Sequence, residues 1–90
     1  MLSSIPKKVD GNVDAQILRA AIIAELDAIN LYKQMAEQAQ SNDIKKILLD
    51  VAKEEKTHVG EFQYLLLKID EEQVKELEKG KEEVEEELNE

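Results

Sequence analysis

Apolar residues recur in this chain at alternating steps of four and three residues along two long stretches. One stretch runs from Asp14 to about Gln40 and contains neither Gly nor Pro, and the other runs from Ile44 to Ile69. This spacing places side chains on one face of an α-helix, so it predicts two amphipathic helices. The positions that form the two faces are Leu18, Ile22, Glu25, Ile29, Tyr32, Ala36 and Ala39 in the first helix, and Ile44, Leu48, Val51, Glu55, His58, Phe62, Leu65 and Ile69 in the second.

A short polar break, Ser41-Asn42-Asp43, separates the two stretches. Its side chains favour a turn and can cap the start of a new helix, and its length suits an antiparallel hairpin. Asn12 or Asp14 is expected to cap the first helix, because a short side-chain oxygen accepts a hydrogen bond from a free backbone N–H at a helix start.

Beyond Asp70 the apolar pattern thins to a few positions, and Gly80 interrupts a run of Glu and Lys. Since glycine costs roughly 1 kcal/mol relative to alanine inside a helix, we expect a short helix from about Glu71 to Lys79 followed by a weakly ordered extension. The chain therefore divides into a flexible segment over 1–13, a helical hairpin over 14–70, and a short C-terminal helix with an acidic tail over 71–90.

The composition favours an all-α protein that associates with itself. Charged residues make up 37% of the 90 residues and aromatic residues only 3%, which is typical of long helices. So small a chain often needs a metal or a partner subunit for stability. The net charge of −9 argues against binding to nucleic acid or an anionic membrane. With no cysteine, secretory signal or membrane span in the sequence, we expect a cytoplasmic protein.

Three ionisable residues occupy positions where the pattern predicts apolar side chains. Glu25 lies between Ile22 and Ile29, and Glu55 and His58 interrupt the second apolar face. An unpaired buried carboxylate is costly. In a hairpin that turns near residue 42, residues whose numbers sum to about 84 lie side by side, so the three fall within about one helical turn. We expect them to converge on a metal ion, because residues three apart in Glu-x-x-His share a helix face.

Four-helix bundles that hold two metal ions use a Glu from each of two helices and a Glu-x-x-His from each of the other two, and this chain carries half of that set. We therefore predict that two hairpins meet and contribute four carboxylates and two imidazoles to two divalent ions. Tyr32 lies one heptad after Glu25 and is expected to hydrogen-bond a ligand carboxylate. Each residue also has a simpler explanation. Glu25 taken alone could serve to set the helix register, and Tyr32 could simply pack in the core without contacting a ligand. Glu54, Asp27 and Glu61 are expected at the surface. The metal hypothesis rests on the combination of position in the apolar face, Glu-x-x-His spacing and matched depth.

Two segments of the sequence resemble encapsulated ferritin-like proteins. They are Ala24-Glu-Leu-Asp-Ala-Ile-Asn-Leu-Tyr-Lys-Gln34 and Ile47-Leu-Leu-Asp-Val-Ala-Lys-Glu-Glu-Lys-Thr-His58, within a similarity that runs from about Ile17 to Leu77. The sequence is most similar to the ferritin-like domain fused to the encapsulin shell in archaea. Some relatives have an acidic residue just before the first ligand and a tryptophan six residues after it. Here these positions are Ala24 and Leu31, which argues against an auxiliary site for metal uptake at Asp27.

The resemblance implies a hairpin that dimerises into a ferritin-like four-helix bundle with a di-iron ferroxidase centre at the interface. It assigns Glu25, Glu55 and His58 as iron ligands and catalytic residues, with two Fe per dimer and Tyr32 nearby. It also implies that dimers form a ring such as a decamer, housed in an encapsulin nanocompartment that stores oxidised iron.

Two other functions stay open at the level of sequence. One is a non-catalytic helical assembly or cargo domain that binds divalent metal. The other is peroxide reduction of the rubrerythrin type, which is less favoured because the chain has no cysteine to hold an internal rubredoxin iron.

Overall fold

Three α-helices make up the part of the chain that the computed structural model describes, residues 13–90. They are α1 (Val13–Gln38), α2 (Asn42–Ile69) and α3 (Glu71–Leu88). The predicted all-α class is therefore confirmed. The segment expected to be flexible lies outside the described residues apart from Val13, which begins α1, and the candidate cap Asn12 lies outside them too.

α1 and α2 form the predicted hairpin and pack against each other along their lengths. The turn follows the expected chemistry, because Ser41 is the N-cap of α2 and its hydroxyl oxygen accepts a hydrogen bond from the backbone N–H of Ile44 at 3.3 Å. This bond satisfies one of the free N–H groups at the helix start. The hairpin sets Glu25 of α1 against the middle of α2.

α3 is longer than the sequence analysis predicted, because it passes through Gly80 and ends at Leu88 instead of Lys79. The helix continues in spite of the glycine penalty, and both of its ends are capped. Asp70 caps the start by accepting a hydrogen bond from the backbone N–H of Gln73. Asn89 ends the helix in the left-handed conformation, φ 59°, and donates its backbone N–H to Glu85 and Glu86 carbonyls. Asparagine tolerates this conformation better than most residues do.

The described residues spread more widely than a hairpin alone. A 28-residue helix such as α2 is about 42 Å long. The structure nevertheless measures 45 × 42 × 19 Å, so its second dimension also reaches the length of a long helix. α3 therefore points away from the hairpin axis, and it contacts α2 only lightly.

A single copy has very little core. Its buried apolar residues are Ala15, Ala36, Ala52 and Leu66, and within residues 13–90 no large side chain is fully buried. The solvent-accessible surface is 7325 Å², whereas a folded monomer of 10.3 kDa exposes roughly 5,400 Å². The radius of gyration is 16.6 Å, against roughly 12 Å for a compact domain of this length. One copy therefore leaves an unusually large surface exposed for its mass. No helix in the described range is long and apolar enough to cross a membrane.

Asp70 joins all three helices at the break between α2 and α3. Its backbone N–H donates to the carbonyl of Leu66, and its Oδ2 accepts a hydrogen bond from the Arg19 guanidinium of α1 at 2.7 Å. The hydrogen bond from the Gln73 backbone, together with the one from Arg19, lowers the pKa of Asp70 below its usual value. The folded state therefore prefers the ionised carboxylate.

We expect the attachment of α3 to loosen in acid. The pKa of Asp70 is lowered in the folded state, so the stabilisation that its carboxylate gives to the fold is fully present above the usual aspartate pKa of about 4. This stabilisation is lost as the pH falls through the pKa of Asp70 in the folded state. Protection of the α3 amides against hydrogen exchange, measured relative to the intrinsic exchange rate at each pH, should fall in the wild type below about pH 4. The Asp70→Asn variant should show no comparable step from this position, since asparagine cannot ionise. All other carboxyl groups are the same in the two proteins, so identical acid profiles would show that Asp70 has no such role.

Candidate metal centre

Glu25, Glu55 and His58 meet near the middle of the hairpin. One ligand atom from each lies within 4.8 Å of the others. Nδ1 of His58 is 3.2 Å from Oε2 of Glu25 and 3.5 Å from Oε2 of Glu55. The predicted convergence of the three is therefore confirmed, while their role as metal ligands stays a prediction.

Helix geometry explains why they meet. Glu55 and His58 are three residues apart on α2, so their side chains share one face. The antiparallel turn at Ser41 brings Glu25 of α1 to the same layer from the opposite helix. No local motif supplies the third group, because Glu25 is 33 residues from His58 in the chain.

The donor set suits a divalent transition metal. Two carboxylate oxygens and one imidazole nitrogen are ligands that iron, manganese and zinc accept. Two ligands on opposite sides of one ion are about 4.2 Å apart if each bond is about 2.1 Å. The observed limit of 4.8 Å is close to that separation, so small side-chain rotations bring all three onto one ion. The residues present therefore fit a metal.

The electrostatics also favour a cation. Within residues 13–90, no Lys or Arg forms an ion pair with Glu25 or Glu55, and His58 is the one basic group beside them. Two carboxylates held together without a full compensating charge repel each other. A bound divalent ion would remove this repulsion.

The triad is open on one side. About 19% of the Glu25 side chain and 17% of the Glu55 side chain are exposed, and the figure for His58 is 40%. A closed mononuclear site would shield its ligands more fully. The three side chains are therefore accessible to solvent on that side.

Apolar surface flanks the triad at both ends. Residues seven apart share a helix face. Towards one end of the hairpin, Leu18 therefore lies on the same face as Glu25, and Leu65 on the same face as His58. Towards the other end, Leu48 lies on the same face as Glu55. Two open apolar depressions lie at these ends, and their lining includes Ile17, Leu18, Leu65 and Ile69 for one, and Leu31, Met35, Ile44 and Leu48 for the other. We call this surface, with the triad at its centre, the front face.

The other candidate residues take no part in the cluster. Tyr32 is half-buried, and among the described residues it donates no hydrogen bond to the triad. Its predicted bond to a ligand is therefore not present in the single chain. Glu54 and Glu61 are exposed, as expected, and Asp27 is half-buried outside the cluster.

The sequence analysis missed the pairing of Arg19 with Asp70. The capping role of Asp70 had a local signal, since an aspartate directly precedes the helical stretch. The contact with Arg19, 51 residues away, had none. It depends on how the hairpin and α3 meet in three dimensions.

Comparison with known proteins agrees with this geometry. Residues 16–90 match the rubrerythrin family. Over 71 residues, or 79% of its length, the chain is 66% identical to a ferritin-like-encapsulin shell fusion protein from Pyrococcus furiosus, of which it covers 21%. Over 71 residues, again 79% of its length, the chain is 39% identical to the encapsulin nanocompartment cargo protein EncC from Myxococcus xanthus, of which it covers 55%. The chain thus spans about a fifth of the length of the first relative and about half of the length of the second.

A solved structure is similar over nearly the whole chain. The crystal structure of an encapsulated ferritin domain from Pyrococcus furiosus matches with a TM-score of 0.80 and 55% sequence identity. The match covers 91% of this chain and 87% of that one. The predicted resemblance to encapsulated ferritin-like proteins is therefore confirmed.

Proposed function

Because the chain belongs to the rubrerythrin family of ferritin-like proteins, we propose that it is a ferroxidase that oxidises Fe(II) to Fe(III) at a site shared by two copies. The observation that carries the proposal is the cluster of Glu25, Glu55 and His58, which is half open on an apolar face. Iron is the substrate, and dioxygen is the proposed electron acceptor.

Two copies that meet through their front faces would bring two triads together around a twofold axis. The four carboxylates would carry four negative charges, which balance two Fe(II) ions. Each Glu can bind through one oxygen or bridge two ions, and each His58 can supply one nitrogen. Carboxylate and imidazole ligands would suit iron in both oxidation states, and two Fe(II) would supply the two electrons that, with two protons, convert one dioxygen to hydrogen peroxide.

Glu25, Glu55 and His58 of two copies would hold two Fe per dimer, and the oxidant would reach the iron at positions that these side chains do not occupy. The apolar residues of the front face would exclude bulk water at both ends of the site. This setting strengthens the attraction between the carboxylates and the ions, because electrostatic interactions increase where water is absent.

Storage of the product requires a separate compartment. A hairpin with four buried apolar residues has no interior in which a mineral could form. The two curated relatives carry names that associate them with encapsulin, one as a shell fusion and one as a cargo protein. We therefore propose that Fe(III) passes to storage inside a cytoplasmic encapsulin nanocompartment, in which dimers of this chain are arranged as a larger ring such as a decamer.

Anaerobic titration with Fe(II) followed by exposure to oxygen tests the proposal. We expect binding to saturate at two Fe per dimer, because each copy supplies half of the ligands. Admission of oxygen should then produce the absorbance of Fe(III). Saturation without any oxidation would contradict a ferroxidase and support the alternative of a non-catalytic helical assembly that binds divalent metal, which the exposed apolar faces would also suit.

The rubrerythrin match favours one second candidate, reduction of peroxide. The donor set is compatible with either oxidant, so the chemistry of the ligands does not separate them. The same anaerobic Fe(II)-loaded protein can be mixed with equal concentrations of dioxygen or hydrogen peroxide. Faster oxidation by dioxygen supports the ferroxidase, and a large preference for peroxide supports the second candidate.

A further inference from the structure

His58 presents one ring nitrogen to the two carboxylates of the triad and the other to the outside. Nδ1 lies 3.2 Å from Oε2 of Glu25 and 3.5 Å from Oε2 of Glu55. Within residues 13–90 the second ring nitrogen, Nε2, has no hydrogen-bond partner, and 40% of the side chain is exposed. The nitrogen that is placed to meet a metal ion between the carboxylates is therefore Nδ1.

Metal binding at Nδ1 decides where the imidazole keeps its proton. A nitrogen that binds a metal carries no proton, so the neutral ring then holds its one N–H at Nε2. In metal sites this second N–H almost always donates to a carboxylate, a backbone carbonyl or water, and the bond fixes the ring and makes the ligand nitrogen more basic. An acceptor for Nε2 is therefore expected on the side of the ring away from Glu55.

Glu61 lies on that side of His58. At about 100° per residue, Glu55 is about 60° from His58 around the axis of α2 in one direction, and Glu61 is about 60° from it in the other. Glu55, His58 and Glu61 follow one another at equal steps of three residues. Because side chains on a helix lean toward its N-terminus, His58 leans back onto Glu55, and Glu61 stands in the same relation to His58.

Glu54 is the nearest rival acceptor on α2. It also lies on the outer side of His58, about 40° away, but it precedes His58 in the helix, so its side chain leans toward Asp50 and away from the ring. Glu61 is exposed, and within residues 13–90 no Lys or Arg forms an ion pair with it. Its carboxylate is therefore available to turn toward Nε2 of His58.

We propose that Glu61 is a positioning residue of the metal centre, whose carboxylate accepts a hydrogen bond from Nε2–H of His58 when Nδ1 of His58 binds a metal ion. The bond holds the imidazole in the orientation in which Nδ1 faces Glu25 and Glu55. It also strengthens the bond between Nδ1 and the metal, because a carboxylate acceptor makes the imidazole more basic. The proposal rests on metal binding by the triad, which is part of the proposed function, and does not require iron oxidation.

NMR spectroscopy of the full-length protein loaded with zinc tests the hydrogen bond directly. Zinc is redox-inert and accepts the same carboxylate and imidazole ligands. His58 is the one histidine of the sequence, so its ring nitrogens are identified without ambiguity. We expect the nitrogen chemical shifts to show zinc at Nδ1 and the proton at Nε2. This proton should exchange with water at least about tenfold faster in Glu61→Ala, and by an intermediate factor in Glu61→Gln, because glutamine keeps an uncharged acceptor.

The zinc dissociation constant, measured by competition with a chelator at one pH, gives a second readout. Glu61→Ala should raise this constant about 10- to 100-fold, which is the usual cost of losing the partner of a ligand histidine, and Glu61→Gln should raise it less. Glu54→Gln is the matched control, because Glu54 is an exposed glutamate on the same side of His58. It should keep both the zinc affinity and the protected Nε2 proton of the wild type.

Several results would overturn the role of Glu61. They are zinc bound at Nε2 of His58, an Nε2 proton whose exchange is the same in both Glu61 variants and the wild type, and an equal loss of affinity in Glu54→Gln and Glu61→Gln, which would show an effect of charge alone. Release of the proton by Tyr32→Phe instead would identify Tyr32 as the acceptor. A protein that forms this bond with zinc but leaves Fe(II) unoxidised would contradict the proposed function and not the role of Glu61.

Discussion

Replacing Glu55 or His58 with alanine is expected to reduce the rate of Fe(II) oxidation by at least about 100-fold. Even residues that only orient metal ligands typically contribute 10- to 100-fold to metal affinity or activity, so the loss of a ligand should cost at least as much. Within one chain these side chains contact mainly each other and Glu25. The helices should therefore persist, which circular dichroism can check.

The measurement is the initial rate of Fe(III) absorbance after oxygen is added to protein loaded anaerobically. Glu54→Ala is the matched control, because Glu54 is the exposed neighbour of Glu55 on the same helix and carries the same charge. It should keep nearly the full rate. Wild-type rates in Glu55→Ala or His58→Ala would rule out the proposed ligand assignment, and an equal loss in Glu54→Ala would show that local charge matters more than ligation.

Removing metal is expected to weaken the dimer, with an apparent dissociation constant at least about tenfold higher in the presence of a chelator. Without metal, the front faces would bring four carboxylates into one layer beside two imidazoles. Coulomb repulsion between such groups is strong where water is partly excluded. Light scattering and sedimentation at matched protein concentration, with and without chelator, measure the change.

The variant Glu25→Gln/Glu55→Gln separates repulsion from loss of the fold. Glutamine keeps the shape of the side chain and removes its charge, so this variant should neither bind iron tightly nor require it for dimerisation. We expect its dimer to respond little to chelator. A wild-type dimer that is equally stable with and without metal would contradict the shared site. A double variant that dissociates like the metal-free wild type would show that repulsion is not the cause.

Helix existence could be predicted well from the local pattern, and helix ends less well. The hairpin followed from periodic apolar residues and from Ser41, because both signals act within a few residues. The predicted end of α3 at Lys79 was wrong, because the helix passes through Gly80 and continues to its cap at Asn89. Propensity is a weak guide where both ends of a helix are capped.

The candidate site could be predicted to an unusual extent. Ionisable residues in an apolar face are costly, so Glu25, Glu55 and His58 stood out from the sequence alone. The hairpin then required them to lie at one depth, and the observed 3.2 Å between Glu25 and His58 agrees. The bond expected from Tyr32 is not formed in one chain, since helix register alone does not decide where a long side chain points.

The amino-acid sequence by itself determined the helices, the turn and the depth at which the three candidate metal ligands would lie, because these depend on spacing along a regular helix. Only the tertiary structure decided that the hairpin has two open apolar sides, that Asp70 ties α1 to α3 through Arg19, and that α3 points outward. These features depend on the angles at which helices meet. Such angles are set by packing between residues far apart in the chain, which no local pattern records.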